Sequence, residues 1–153
     1  MRVYEVSMNN VAVTGAITLV QLKAGTASIL RILRAWCSQS NLAASAQQTI
    51  EIVRKSVAAT VTSATPLKND PGDAASNMVS STSATGTNAS AEGTDGDILY
   101  RDNFSVLNGW LWVPTPEERI IVGPSGIIGL KFPIAPAAST TVSAGFIVGE
   151  EGG

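Results

Sequence analysis

Residues 108–153 read NGWLWVPTPEERIIVGPSGIIGLKFPIAPAASTTVSAGFIVGEEGG, and this stretch decides the fold class. Its apolar residues stand in short runs that Gly and Pro interrupt. Ile128, Leu130 and Phe132 alternate with other residues, and a period of two returns in residues 141–148. Alternation is typical of half-buried β-strands, because successive side chains of a strand point to opposite faces. The stretch therefore predicts several short strands joined by turns.

Similar runs fill the rest of the chain. Residues 2–8, 17–22, 49–57 and 98–106 have the alternation or the composition of strands, and residues 58–64 continue the third of them past a bend. Many short strands separated by turn residues are typical of β-sandwiches and barrels. We therefore predict a single all-β domain over the whole chain, of the β-sandwich or jelly-roll type.

Gly, Pro, Asn and Asp mark the predicted turns. Residues 70–73 (DPGD) combine a Pro, which fixes φ, with a Gly, which permits positive φ, and they predict a tight turn. Residues 9–10 (NN) and 95–97 (DGD) are further turn signals. Asn108-Gly109 is typical of a two-residue hairpin, so it predicts that the strands on either side pair with each other.

Residues 27–38 leave helix and strand open. Ile29, Leu33 and Trp36 fall on one side of a helical wheel, which favours an amphipathic helix. A strand would instead place Leu30, Ile32 and Trp36 on one face, with Arg34 among them. Periodicity alone therefore favours the helix.

Small residues dominate residues 74–94, where 18 of 21 are Ser, Thr, Ala, Gly or Asn. This composition supplies few side chains for a core and is typical of a linker. We predict an extended low-complexity arm or loop over residues 74–97, or a strand, that backbone hydrogen bonds hold and that orders against neighbouring subunits. Its candidate interface residues are Ser80, Thr82, Thr85 and Thr87.

The composition excludes several classes of catalytic site. The chain has no His and one cysteine, Cys37, which rules out a Ser-His-Asp triad, a Cys-His dyad, a Cys-based metal cluster and an intrachain disulfide. We predict no catalytic, cofactor or metal site. A net charge of -2 with 10 basic residues gives no nucleic-acid footprint. No apolar run reaches the roughly 18 residues of a membrane span.

Acidic residues beside turns have simple structural explanations. Asp next to Gly or Pro, as in residues 70–73 and 95–97, is common in turns. Carboxylates of this kind are also ligands for a hard cation such as Ca²⁺. Thr115, Pro116 and Glu118 suit the N-cap, first and third positions of a capping box. They predict a single helical turn that redirects the chain.

Two pairs of residues near the C-terminus are candidate contact residues. Trp110 and Trp112 share one face of a predicted strand, where they would pack in the core, contact another subunit or stack on a sugar ring. Glu150 and Glu151 are predicted to be solvated or to contact a neighbouring subunit.

Seven segments resemble a group of small virion structural proteins of tailed bacteriophages. They are YEVSMNNVAVT at residues 4–14, PL at 66–67, DPGDAA at 70–75, NGW at 108–110, PTPEER at 114–119, PIAPA at 133–137 and GEEGG at 149–153. The low-complexity residues 74–94 are where the chain departs from that group. The shared motifs are structural, so no catalytic residue is carried over from the group.

The resemblance implies a fold, a location and partners. Proteins of this group are β-sandwich or jelly-roll subunits, often trimeric, that decorate or cement the outside of the capsid. They imply the major capsid protein and copies of the chain itself as partners, synthesis in the cytoplasm of a bacterial host and a place on the virion. A component of the tail or neck is the alternative within the same class, and a carbohydrate-binding β-sandwich is the alternative outside it. The resemblance also implies that residues 27–38 form a strand.

Overall fold

A computed structural model describes residues 1–152 and shows two antiparallel β-sheets, which confirms the all-β prediction. The only helical element in this part of the chain is a 3₁₀ turn at Pro116–Glu118. The strands, in chain order, are β1 (Arg2–Val13), β2 (Thr18–Lys23), β3 (Ser28–Gln39), β4 (Gln47–Val57), β5 (Thr60–Ser63), β6 (Leu67–Lys68), β7 (Gly86–Ala91), β8 (Thr94–Ser105), β9 (Trp110–Trp112), β10 (Ile121–Val122), β11 (Ile127–Lys131) and β12 (Thr140–Gly152).

The front sheet has the order β10-β3-β12-β1-β6, and β9 also pairs with β3. Strand β12 lies at its centre because it pairs with β1 along one edge and with β3 along the other. One row of residues crosses this centre, with Glu5 opposite Ile147 and Ile147 opposite Arg34. Directly opposed residues point to the same side of a sheet, so these three side chains share one face.

The back sheet has the order β5-β7-β2-β11-β4-β8. Strand β4 continues into β5 after two residues, and β7 continues into β8 after two residues. Because β4 pairs with β8 and β5 pairs with β7, these strands form one long antiparallel ribbon, residues 47–63 and 86–105. The ribbon supplies both edges of the sheet, so it passes over the outer side of β11 and β2. Bulges at residues 53–57 and 60–62 provide the bend.

The core lies between the two sheets and follows the predicted alternation. Phe146 and Val148 of β12 point inward, and so do Ile128 and Leu130 of β11. Each large aliphatic side chain buried in this way contributes about 1.5–3 kcal/mol of hydrophobic free energy. The core fixes which face of each strand points outward and therefore which residues a partner meets.

Residues 27–38 lie in strand β3, as the resemblance implied, and not in the helix that periodicity favours. The pairing of β3 with β12 shifts between Ile32 and Arg34, which inserts Leu33 as a β-bulge.

The bulge explains the misleading pattern. Before the bulge the even-numbered residues Leu30 and Ile32 point inward, and after it the odd-numbered residues Ala35 and Cys37 do. This change of spacing resembles a helical period. The prediction that a strand would place Trp36 on the same face as Leu30 and Ile32 is wrong, because Trp36 lies on the outer face.

The low-complexity segment 74–97 contains strand, which is one of the alternatives predicted for it. Half of it forms the ribbon strands β7 and β8, and Met78 and Ala84 are buried. Small residues are required here, since a Cβ at Gly86 would collide with the carbonyl oxygen of Thr62. The composition that predicted a linker instead permits close packing of the ribbon.

The turn predictions had mixed outcomes. Residues 70–73 do turn, with the Asp73 N–H donating to the carbonyl of Asp70 at 3.0 Å. Residues 95–97 lie inside β8, and residues 9–10 form a bulge within β1. Residues 108–109 do not close a hairpin, because β8 belongs to the back sheet and β9 to the front sheet. They lie on the connection that takes the chain from one sheet to the other.

Candidate interaction surface

The outer side of the front sheet, which we call the front face, is rich in apolar side chains that remain partly or fully exposed. Three lie at its margins: Leu67 is 62% exposed, Leu111 64% and Ile121 45%. The residues that the central strands contribute are Val3, Glu5, Ile29, Arg31, Leu33, Arg34, Trp36 and Ile147. A contiguous apolar patch on a protein surface typically marks a site of interaction.

Two glycines of β12 help to make the front face level. A Cβ at Gly145 would collide with the indole ring of Trp36, and a Cβ at Gly149 would collide with the thioether of Met1. Trp36 therefore lies across the sheet instead of projecting from it. The guanidinium of Arg34 lies 5.7 Å from the centre of the Trp36 ring, a cation–π contact. The result is a broad surface suited to packing against another flat surface.

Glu5 and Arg34 are the charged residues of the central row, one on each side of Ile147. In the part of the chain that the structure describes, neither of them forms an ion pair. Arg31, by contrast, pairs with Glu151 at 3.1 Å. The front face thus carries an uncompensated negative charge on β1 and an uncompensated positive charge on β3.

A surface groove of about 220 Å³ lies at the β6 margin of the front face. Val3, Glu5 and Ile147 line it from the central strands, and Leu67 and Lys68 line it from β6. Small-molecule pockets typically measure about 300–1,000 Å³. The groove is better suited to receiving a side chain or two from another protein.

The bend of the ribbon covers the outer side of β2 and β11, and the polar groups buried there are hydrogen-bonded within the chain. The side-chain amide of the fully buried Gln21 donates to the carbonyl of Ala84 at 2.5 Å and accepts from the N–H of Ala59 at 2.8 Å. The hydroxyl of Thr18 donates to the carboxylate of Glu92 at 2.8 Å. These bonds satisfy groups that would be costly to bury alone.

A charged cluster anchors the bend of the ribbon. Asp95 accepts hydrogen bonds from Lys55 and Lys131, each at 2.6 Å, and Glu92 lies 3.3 Å from the Lys131 ammonium. Burial raises the pKa of Asp95, but the hydrogen bonds from the two lysines outweigh it and hold that pKa below its usual value. Burial lowers the pKa of Lys131, and its bond to Asp95 more than reverses this. Two cations and two anions balance, so the cluster has a structural role.

Tyr100, Trp110 and Trp112 form an aromatic cluster where β8 of the back sheet meets β9 of the front sheet. The Tyr100 ring centre lies 6.2 Å from that of Trp110 and 5.8 Å from that of Trp112. Trp110 is buried, and its indole N–H donates to Asp102 at 3.3 Å. Of the alternatives for Trp110, core packing is correct. The cluster closes this edge of the sandwich, and burial of Trp110 means that it does not form an exposed pair with Trp112.

Two predicted interface residues are buried, and their assignment is corrected. The Thr85 hydroxyl accepts from the N–H of Lys23 at 3.0 Å, beneath the ribbon. The Glu150 carboxylate accepts from the N–H of Asn77 at 3.0 Å. Both groups are satisfied inside this chain, so they do not face a partner.

The remaining predicted interface residues are dispersed. Ser80 and Thr82 are exposed near the ribbon, and Thr87 is half-buried within β7. Glu151 is half-buried beside Arg31 at the end of the front face. Trp112 belongs to the aromatic edge. These residues do not form one surface, whereas the front face does.

Two further predictions concern the helical turn after Thr115 and the burial of Cys37. A single turn begins after Thr115, and the Glu118 N–H donates to the Thr115 carbonyl at 3.0 Å. The Thr115 hydroxyl bonds to the Glu118 carboxylate instead of a backbone N–H, so the capping box is incomplete. Cys37 is buried as predicted, and burial raises the pKa of its thiol to about 12.

Sequence reasoning missed the front face, although a signal was present. Ile147 stands between the inward residues Phe146 and Val148, and Val3 stands next to the inward Tyr4. An apolar residue at an outward position breaks the alternation of a half-solvated strand and indicates that both faces of the strand are covered.

The chain matches no protein-family model, no curated protein and no solved structure. Within residues 1–152, no helix has the length and the hydrophobicity needed to cross a membrane.

Proposed function

We propose that this chain is a structural protein of a tailed-phage virion that binds the outside of the capsid and acts by protein–protein contact, without catalysis. The front face is the observation that supports a role in protein–protein contact. The resemblance of the segments quoted above to capsid decoration proteins supports the location and the capsid partner.

The mechanism follows from mass action. A subunit that binds only the assembled shell lowers the free energy of that state relative to loose capsid proteins, by an amount that grows with its concentration over its dissociation constant. A subunit that bridges neighbouring capsid proteins also resists their separation. Neither effect requires a reactive side chain, which is compatible with a chain that has no His.

The proposal is tested on particles purified from the host that carries this gene. Mass spectrometry is expected to find the chain in purified virions, and electron microscopy is expected to place its density on the capsid exterior. Density on the tail or neck would support the alternative within the virion class. Absence from purified virions would overturn the proposal.

The role of the front face is tested by adding purified protein to particles that lack it. The wild-type chain is expected to bind, and Ile147→Asp, which puts a charge at the centre of the face, is expected to reduce occupancy at least about tenfold. Ala44→Asp is the matched control, because Ala44 is exposed in the loop between β3 and β4. Equal occupancy for both variants would exclude a role of the front face in capsid binding, whether by direct contact with the capsid or by contact between bound copies of the chain.

A further inference from the structure

We infer that the front face packs against the front face of a second copy of this chain, about a two-fold axis that runs parallel to β12. The inference rests on the proposed role of the front face in protein–protein contact and names the partner. It replaces the three-fold arrangement that the resemblance implies with an isologous pair, in which the same patch serves both copies.

The charges of the central row argue for this occupant. Glu5 and Arg34 flank Ile147 on neighbouring strands, one strand away on each side. Rotation by 180° about an axis along β12 exchanges the two sides, so Glu5 of each copy comes opposite Arg34 of the other. Both unpaired charges then gain a partner, and Ile147 meets Ile147. An axis across the strands would place Glu5 opposite Glu5, which is unfavourable.

The margins of the face are complementary under the same rotation. The groove and Leu67 lie on the β6 side, while Leu111 and Ile121 project from the opposite side, beyond β3. Exchanging the sides brings the projecting pair of one copy toward the groove of the other. Leu67, Leu111 and Ile121, which are each about half or more exposed, are thereby covered together.

The size of the face suits a small dimer interface. The three long strands β1, β12 and β3 at about 4.8 Å span about 14 Å, and eight residues of strand at about 3.3 Å span about 26 Å; with the short strands β6, β9 and β10 at the margins the projected area is about 500 Å². The accessible area, with its projecting side chains, is greater than this projected area, against the roughly 800 Å² that each partner buries in a standard interface. Aligned sheets pack with their strands about 30° apart, so the central row stays in register near the axis.

Analytical ultracentrifugation of the purified chain tests the pair directly. We expect a species of twice the 15.8 kDa chain mass at micromolar concentration. Ile147→Asp is expected to sediment as a monomer and Ala44→Asp as a dimer, with circular dichroism confirming that both remain folded. A monomeric or trimeric wild-type chain, or a dimer that Ile147→Asp leaves intact, would overturn the inference.

Charge exchange tests the direction of the axis. Glu5→Arg and Arg34→Glu each place like charges opposite each other twice, so each alone is expected to raise the dimer dissociation constant at least about tenfold. The double variant Glu5→Arg/Arg34→Glu restores opposite charges and is expected to dimerise like the wild type. A mixture of the two single variants is expected to form the mixed dimer, because both of its charge contacts are then favourable. Single variants that dimerise normally, or a mixture that does not associate, would refute this axis.

The two proposals fail separately. A chain that dimerises through the front face but is absent from virions keeps the inference and loses the proposed function. A chain that is present on virions but monomeric in solution keeps the proposed function and loses the inference.

Discussion

The outer sides of the two sheets differ in what lies on them. On the outer side of the back sheet, strand β2 carries Gln21 and Thr18, both buried, and the chain's own ribbon covers them. The front face carries apolar residues around Ile147, and they remain partly exposed.

This difference is the opposite of what hydrophobicity alone would predict. The polar side chains on the outer side of the back sheet are buried, whereas the apolar side chains of the front face are partly exposed. Polar groups are buried where fixed backbone partners can satisfy them, and the ribbon supplies such partners at known positions. An apolar face needs only a complementary shape, which a separate molecule can supply. The outer side of β2 and β11 is therefore covered within one chain, and the front face is the side that we infer to be covered by association.

The largest loss of stability is expected from a substitution in the ribbon. Gly86→Ala is expected to lower the free energy of unfolding by about 3 kcal/mol, because the new Cβ would overlap the backbone oxygen of Thr62. Gly123→Ala is the control, since a Cβ at Gly123 meets no atom within 4 Å. Thermal denaturation measures both variants. Equal melting temperatures would mean that β5 and β7 do not pack tightly against each other within the ribbon.

A second test removes the polar contact beneath the ribbon. Gln21→Leu leaves the N–H of Ala59 and the carbonyl of Ala84 without their partner, so we expect a loss of about 2–3 kcal/mol in urea denaturation. Gln47→Leu, at an exposed position of β4, is expected to change stability by less than about 0.5 kcal/mol. If Gln21→Leu were neutral, hydrogen bonding would not be what holds the ribbon down.

A third test uses pH. The pKa of Asp95 is lowered from 3.8, so its contribution to stability is present above about pH 4 and is lost as the pH falls through the lower folded value. The pKa of Lys131 is raised from 10.5, so its contribution is present below pH 10.5 and is lost as the pH rises through the higher folded value.

Asp95→Asn is expected to cost about 1.5 kcal/mol at neutral pH and to flatten the acid limb of the stability profile. Asp97→Asn, at an exposed position of the same strand, serves as the control and is expected to leave the profile unchanged. An acid limb that Asp95→Asn does not alter would assign acid sensitivity to other carboxylates.

The smallest effect on stability is expected on the front face. Ile121→Ser, at a half-exposed margin position, is expected to change the unfolding free energy of the monomer by less than about 0.5 kcal/mol, measured at a protein concentration below that of dimerisation. The same substitution is expected to weaken association in ultracentrifugation. A large loss of monomer stability would mean that Ile121 belongs to the core.

The strands were the most predictable part of the fold. Alternation marked β11 and β12 well, because their inward residues Ile128, Leu130 and Phe146 pack against a single core. Strand β3 was harder, since a bulge at Leu33 changes which residues point inward, and a bulge leaves no fixed mark in the composition. There the resemblance gave the correct answer and periodicity the wrong one.

Sheet membership and the interaction surface were less predictable. Asn108-Gly109 has the local chemistry of a hairpin, but the strand that follows pairs with β3, more than 70 residues earlier, and local signals do not encode such a partner. The segment 74–97 was predicted to be an arm because small residues suit both a flexible linker and a tightly packed ribbon. The burial of the predicted interface residues Thr85 and Glu150 was not predictable either, because it depends on other segments of the chain that pack against them.

The buried thiol of Cys37 can report how often the two sheets separate. Its thiol lies behind the front face, and burial raises the pKa of this thiol to about 12, so an alkylating reagent at pH 8 meets neither an accessible sulfur nor an appreciable fraction of thiolate. Labelling must therefore wait for the sheets to part. Because the chain has one cysteine, the rate of a single mass increase reports how often the two sheets separate. A labelling rate that falls as the protein concentration rises would show how far association suppresses this opening.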